Sequence, residues 1–173
     1  MKFLKDSGFV IKRTNYRDAD RIITLYTRHS GQIELLAKGV RKITSKRASY
    51  TELLNHIQFE AVTGKRGLVL TETQLLNSFA EKRKTLEYLT SMFYICELVS
   101  KLCPFEEKNE KVFDLLHDFL GSENGTRSLS AFQRGILTHL GFWDSAKKVT
   151  NVAELNNYIE SILEKRLNTH KYL

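Results

Sequence analysis

The chain has 173 residues, enough for one domain or two small ones, and its 42% hydrophobic and 27% charged content excludes intrinsic disorder. No apolar run approaches the roughly 20 residues of a bilayer span, and Met1-Lys2-Phe3-Leu4-Lys5 runs straight into Asp6, so a cytoplasmic location is expected. Net charge is +7 and uneven: residues 1–79 carry 14 Lys+Arg against 7 Asp+Glu, residues 80–173 carry 13 against 13, and an excess confined to one half points to a polyanionic partner.

In chain order, Phe9-Val10-Ile11 reads as a first strand, followed by a turn-rich polar stretch from Arg13 to Asp20. Ile22 to Thr27 forms the second strand, Ser30-Gly31 a turn, and Ile33 to Ala37 the third, closed by Lys38-Gly39. Residues 39–56 follow as a long connection in which Tyr50-Thr51-Glu52-Leu53-Leu54 suits a short helical turn. Ile57, Phe59 and Ala61 alternate with Gln58 and Glu60, the period of a strand with one buried face. Gly64-Lys65-Arg66-Gly67 then turns the chain into a fifth strand, Leu68 to Thr73. Five short strands with a long third connection suit an oligonucleotide-binding (OB) barrel over residues 1–79, although strand count alone leaves an SH3-like barrel open.

From Lys84 the apolar period lengthens. Leu86, Leu89, Met92-Phe93, Cys96 and Val99 predict a helix stopped by Pro104, carrying both Cys96 and Cys103 as buried free thiols. Val112-Phe113, Leu116 and Phe119-Leu120 predict a second helix, ended by the loop from Gly121 to Gly125. Phe132, Ile136 and Leu140 predict a third, with Gly141 just past its end. Leu155, Tyr158-Ile159, Ile162-Leu163 and Leu167 predict a fourth, opened by Asn151 as N-cap with Glu154 three residues on. The expected fold class is therefore α+β: a five-stranded barrel, residues 1–79, followed by a helical bundle, residues 80–173, with a partner-binding surface.

The sharpest chemical feature is Lys38 to Arg47, in which Lys38, Arg41, Lys42, Lys46 and Arg47 occur without an acid. It leaves the third strand at the edge of the face where OB barrels take ligands. Lys12, Arg13, Arg17 and Arg21 flank the first connection and Lys65 and Arg66 sit in the last, so these cations are expected to form one electropositive track, diluted by Asp18 and Asp20. Tyr16 is a candidate to stack on bases; Tyr26, within a strand, suits packing better. Phosphate-loop, dinucleotide, zinc-protease and nucleophile-elbow motifs are all missing, and His29, His56, His117, His139 and His170 have no ligand spacing. No enzymatic activity, cofactor or metal is expected.

In order and spacing, several stretches resemble the RecO family of bacterial recombination mediators. They are Gly8 to Arg21 with Tyr16-Arg17-Asp18-Ala19-Asp20-Arg21-Ile22; Gly31 with Ala37-Lys38-Gly39-Val40-Arg41-Lys42; Tyr94-Ile95-Cys96-Glu97-Leu98 through Leu102-Cys103-Pro104 to Asn109, with Val112 to Leu116; and Phe132 to Phe142. The resemblance implies an OB domain followed by a helical domain, binding of single- and double-stranded DNA, annealing of complementary strands, and cooperation with RecR to load RecA onto strands coated by single-stranded DNA-binding protein. It carries over Lys38, Arg41 and Lys42 as DNA contacts. Many RecO-like chains carry a four-cysteine zinc module after the region of Phe142, where this chain has Trp143-Asp144-Ser145-Ala146-Lys147-Lys148. That site is therefore not expected in this stretch. Two other readings compete: an adaptor whose helices bind proteins around a structural barrel, and an OB barrel that takes RNA.

Overall fold

A computed structural model describes residues 3–121, 128–143, 149 and 151–169. The expected loop after the second helix, at 122–125, residues 144–148 and His170 lie outside these residues. The chain divides into two compact units, one of residues 1–79 with 103–108 and one of residues 80–102 with 109–173.

The first unit is an OB-fold barrel: β1 (Phe3–Tyr16), β2 (Asp20–Thr27), β3 (Gly31–Ala37), β4 (His56–Gly64) and β5 (Gly67–Asn77), closed in the order β1-β2-β3-β5-β4. Closure leaves no open sheet edge. β1 achieves it by pairing along Gly8 to Tyr16 with β2 and along Phe3 to Phe9 with β4, while β3 meets β5 in parallel at Leu35–Leu68 and Leu36–Val69. The expected alternation is present: Ile57, Phe59 and Ala61 join Val10, Ile23, Leu25, Leu35 and Leu70 in the barrel core, and Gln58 and Glu60 are partly exposed. The helical turn in the long connection is a short 3-10 segment, Ser49–Thr51, earlier than the Tyr50 to Leu54 expected.

β1 is longer than its apolar triplet suggested. Its polar end, Lys12 to Tyr16, remains a strand because its backbone is paired with β2 from Thr24 to Asp20, so the turn shrinks to residues 17–19. Hydrogen bonding, not burial, makes this extension.

Residues 103–108 belong to the barrel unit. Phe105 bridges Gln32 in parallel, and the Glu106 N–H donates to the Gln32 carbonyl at 2.9 Å. The approach requires Gly31: its φ is +68°, and a Cβ there would stand 2.2 Å from the Glu107 carbonyl oxygen. Cys103 is therefore not a helical residue; it is buried in this unit in contact with Tyr26, whereas Cys96 is buried in the helical unit. Burial pushes the Cys103 thiol up to about 12, against an opposing hydrogen bond from Tyr26.

The second unit contains α1 (Leu86–Leu102), α2 (Glu110–Gly121), α3 (Leu129–His139) and α4 (Val152–Leu163). Of the expected apolar positions, Met92, Cys96, Val99, Val112, Phe113, Leu116, Phe132, Ile136, Leu155 and Ile159 are buried, whereas Leu86 and Phe93 of α1 are exposed. The Asn151 side chain accepts from the Glu154 N–H at 2.8 Å, and Gly141 has φ +77° beyond α3, as their positions predicted. α4 stops at Leu163, where Glu164 turns left-handed with φ 52°, so the buried Leu167 lies beyond the helix and not on it. A buried polar cluster ties three helices together: Gln133 of α3 donates to the Tyr94 hydroxyl of α1 at 2.7 Å and to Asn156 Oδ1 of α4 at 2.8 Å, and Tyr94 also donates to Asn156.

Candidate nucleic-acid interface

β2, β3 and β5 present a row of aliphatic side chains on the outside of the barrel. Ile22 is the register partner of Leu36, and Leu36 of Val69. Each is half-buried, and together they floor a cleft of about 730 Å³. One wall is the end of β1 and its turn, with Tyr16 and Arg17; the other is the β4–β5 turn, with Lys65 and Arg66; Lys38 closes the end of β3. Glu34 is the acid among the lining residues. The arrangement offers apolar surface for the faces of bases and charge for a phosphate backbone.

Tyr16 organises the cations at this groove. The Arg66 side chain hydrogen-bonds its hydroxyl, and the Arg17 guanidinium lies over its ring, 5.2 Å from the centroid. That hydrogen bond, followed by the Arg17 charge, holds the phenol below its ordinary value of 10.0. Arg17 takes a left-handed φ of 51° at the turn, a conformation uncommon for a side chain without Asn or Asp character.

A second cleft of about 540 Å³ adjoins the groove at Lys38, which lines both. Lys42, Lys46 and Arg47 line it together with Gly39, Thr44, Ser45 and one acid, Asp20. The segment is pinned at its base. Val40 is fully buried, the Gly39 N–H donates to Asp20 Oδ1 at 2.8 Å, and Arg47 donates to the Lys38 carbonyl at 3.2 Å and the Thr71 carbonyl at 3.3 Å. Arg41, expected as a DNA contact, donates to the Arg17 carbonyl at 3.1 Å and lines neither cleft.

The sequence-predicted cations thus divide. Arg17, Lys38, Lys65 and Arg66 share the groove with Tyr16; Lys38, Lys42, Lys46 and Arg47 share the adjoining cleft. Arg13 and Arg21 instead form ion pairs with Glu52, at 3.3 Å for Arg21, and Arg21 Nε also donates to Asn15 at 3.4 Å. Lys12 is exposed on β1 opposite Thr24 and lines neither cleft. Tyr26 is fully buried, and burial foremost drives its hydroxyl far above the ordinary range, so it packs and does not stack on a ligand. The aliphatic floor was not anticipated, although the doublets Ile22-Ile23, Leu35-Leu36 and Val69-Leu70 signal it: a strand with a polar outer face would break them.

Among the described residues no group of three or more His, Cys, Asp and Glu could hold a metal ion, and no helix is long and apolar enough to cross a membrane. His29 pairs with the buried Asp6 carboxylate at 2.9 Å, and His56 stacks on Phe9 with centroids 4.4 Å apart.

Comparison with known proteins matches the sequence of the chain to one family. The family model for the N-terminal part of recombination protein O matches residues 1–79, and that for its C-terminal part residues 83–143. DNA repair protein RecO of Symbiobacterium thermophilum is 31% identical over 140 residues, 78% of this chain and 55% of that protein. RecO of Dehalococcoides mccartyi is 32% identical over 151 residues, 85% of this chain and 60% of that one. The chain thus spans between half and two-thirds of the length of these curated relatives. A chain of the S. pombe Stn1-Ten1 complex aligns over 56% of this chain and 76% of its own length with TM-score 0.36 and 11% identity, too distant to carry an argument.

Proposed function

The chain belongs to the RecO family, and on that premise we propose that it binds DNA strands in repair and recombination through the barrel groove and brings complementary strands together without making or breaking bonds. The observation that carries this reading is the groove itself: an aliphatic row of Ile22, Leu36 and Val69 walled by Arg17, Lys38, Lys65 and Arg66. Neutralising phosphates on two strands lowers their mutual repulsion, which is sufficient for annealing without a fuel. Either single- or double-stranded DNA can use the cations; only an unpaired strand can lay bases on the floor. In the cell, by the same family reading, the chain works in the cytoplasm with RecR to place RecA on strands coated by single-stranded DNA-binding protein, and the helical unit is where protein partners attach.

The test is annealing of two complementary labelled oligonucleotides with the protein and with its Lys65→Glu/Arg66→Glu variant. Loss of both strand affinity and annealing is expected. Unchanged affinity would sink the groove reading in favour of the adaptor, and stronger competition by RNA than by DNA of the same sequence would redirect the groove to RNA.

A further inference from the structure

Ile43 is the most exposed large hydrophobic side chain among the described residues, at 105% of its reference area. It sits at the centre of a tight turn, where the Ser45 N–H donates to the Lys42 carbonyl at 2.9 Å. Turn centres favour Gly, Asn, Asp and Pro, and an aliphatic side chain there gains nothing from packing. Local preference and observed residue conflict at this position, and such conflicts concentrate where a surface serves something other than stability.

The surroundings say what that surface meets. Arg41 and Lys42 precede Ile43, Lys46 and Arg47 follow it closely, and no acid occurs from Lys38 to Arg47. The base of the loop is held on both sides. The Arg41 N–H donates to the Ala19 carbonyl at 2.9 Å, its guanidinium to the Arg17 carbonyl, and Arg47 to two further carbonyls. A tip braced in this way loses little freedom when it inserts into a partner. Lys42 and Lys46 line the cleft beside the tip and, outnumbering its one acid, Asp20, which accepts from the Gly39 N–H, are placed to hold phosphates there.

We propose that Ile43 is an apolar wedge that enters the base stack of a DNA strand whose phosphates are held by Lys42 and Lys46. The inference rests on the DNA-binding reading above and deepens it. Proteins that insert an aliphatic side chain between base steps unstack those steps and kink the duplex, and the flanking cations offset the cost. A step opened beside the groove supplies unpaired bases next to the Ile22–Leu36–Val69 floor. The loop and the groove then act on the same strand, with Lys38 common to both.

The experiment uses the full chain and a short duplex carrying one 2-aminopurine, whose fluorescence rises when its base is unstacked. Wild type is expected to raise that fluorescence at saturation. Ile43→Ala abolishes the rise and weakens binding by about tenfold, from partial loss of apolar burial. Because no charge is removed, its slope of log affinity against log salt equals that of wild type, whereas Lys42→Ala makes the slope shallower by about 0.9 on duplex DNA. If wild type binds without a rise, or Ile43→Ala keeps both rise and affinity, the wedge is overturned while the DNA reading stands. If wild type floats with phosphatidylserine-containing vesicles and Ile43→Ala does not, with no fluorescence rise on DNA, the tip is a membrane anchor and the wedge is overturned. Absence of any DNA binding by wild type would remove both readings.

Discussion

The grouping of cations gives a quantitative expectation for the barrel. Four of them line the groove, Arg17, Lys38, Lys65 and Arg66. If each neutralises one phosphate of a single strand, log affinity falls with log salt at a slope of about −2.8, so a fourfold rise in salt costs about 50-fold in affinity. Lys65→Ala/Arg66→Ala removes two contacts, making the slope about −1.4 and reducing the cost of the same rise to about sevenfold. Arg13→Ala/Arg21→Ala removes the same charge from side chains that face Glu52, outside the groove. Its slope stays at the wild-type value, and loss of these surface pairs costs the fold no more than about 1 kcal/mol each. Fluorescence anisotropy of a labelled single strand, from about 50 to 200 mM salt, reads all three slopes. An Arg13/Arg21 variant whose slope drops as far as that of the Lys65/Arg66 variant would refute the division of the cations, and a flat wild-type slope would refute the groove.

Three further outcomes test the framework that holds the site. Gly31→Ala drives a Cβ into the Glu107 carbonyl oxygen at a φ of +68° and is expected to cost about 3 kcal/mol or more in urea unfolding, while Gly67→Ala, at φ +115° with nothing within 4 Å, suffers only the backbone penalty. Glu97 has burial pulling its carboxyl upward, but the Asn168 N–H, Lys101, and the Thr169 hydroxyl and N–H outweigh it and hold the group at about 2, below its ordinary 4.5. A depressed carboxylate stabilises the fold above its unfolded value and loses that contribution as pH falls through its folded one. Glu97→Gln should therefore melt lower than wild type at neutral pH, with the difference closing between about 4.5 and about 2; a constant difference across that window would contradict the assignment. Cys96 and Cys103 are both buried, with burial raising both thiols, so a thiol reagent should label neither until denaturant is added.

Much of the fold was legible because burial leaves a period. Alternation at Ile57, Phe59 and Ala61 marked β4, and the spacing of Leu116, Phe119 and Leu120 marked α2, since in each case one face meets a core. What escaped has no such signature. Residues 103–108 join the barrel through backbone hydrogen bonds and through space left by Gly31, and neither writes a pattern into the residues between Cys103 and Lys108. Pro104 announced the end of a helix and nothing about where the chain then goes.

For the candidate site the decisive feature is a single irregularity in β1. Val10 points into the core opposite Leu25, and undisturbed alternation would send Lys12, Thr14 and Tyr16 to the same side. The register shifts between Val10 and Lys12, after which Arg13 lies opposite the core residue Ile23 and Thr14 opposite Ile22, the first residue of the aliphatic row. One extra residue reverses the faces. Tyr16 thereby reaches the groove, where it gathers Arg17 and Arg66, while Arg13 turns to the side on which it meets Glu52. Charge counting treats Arg13 and Arg17 as equivalent members of one basic stretch. The bulge makes one part of the groove wall and the other a strut of the barrel, and that distinction belongs to pairing between strands, which no pattern along a single strand expresses.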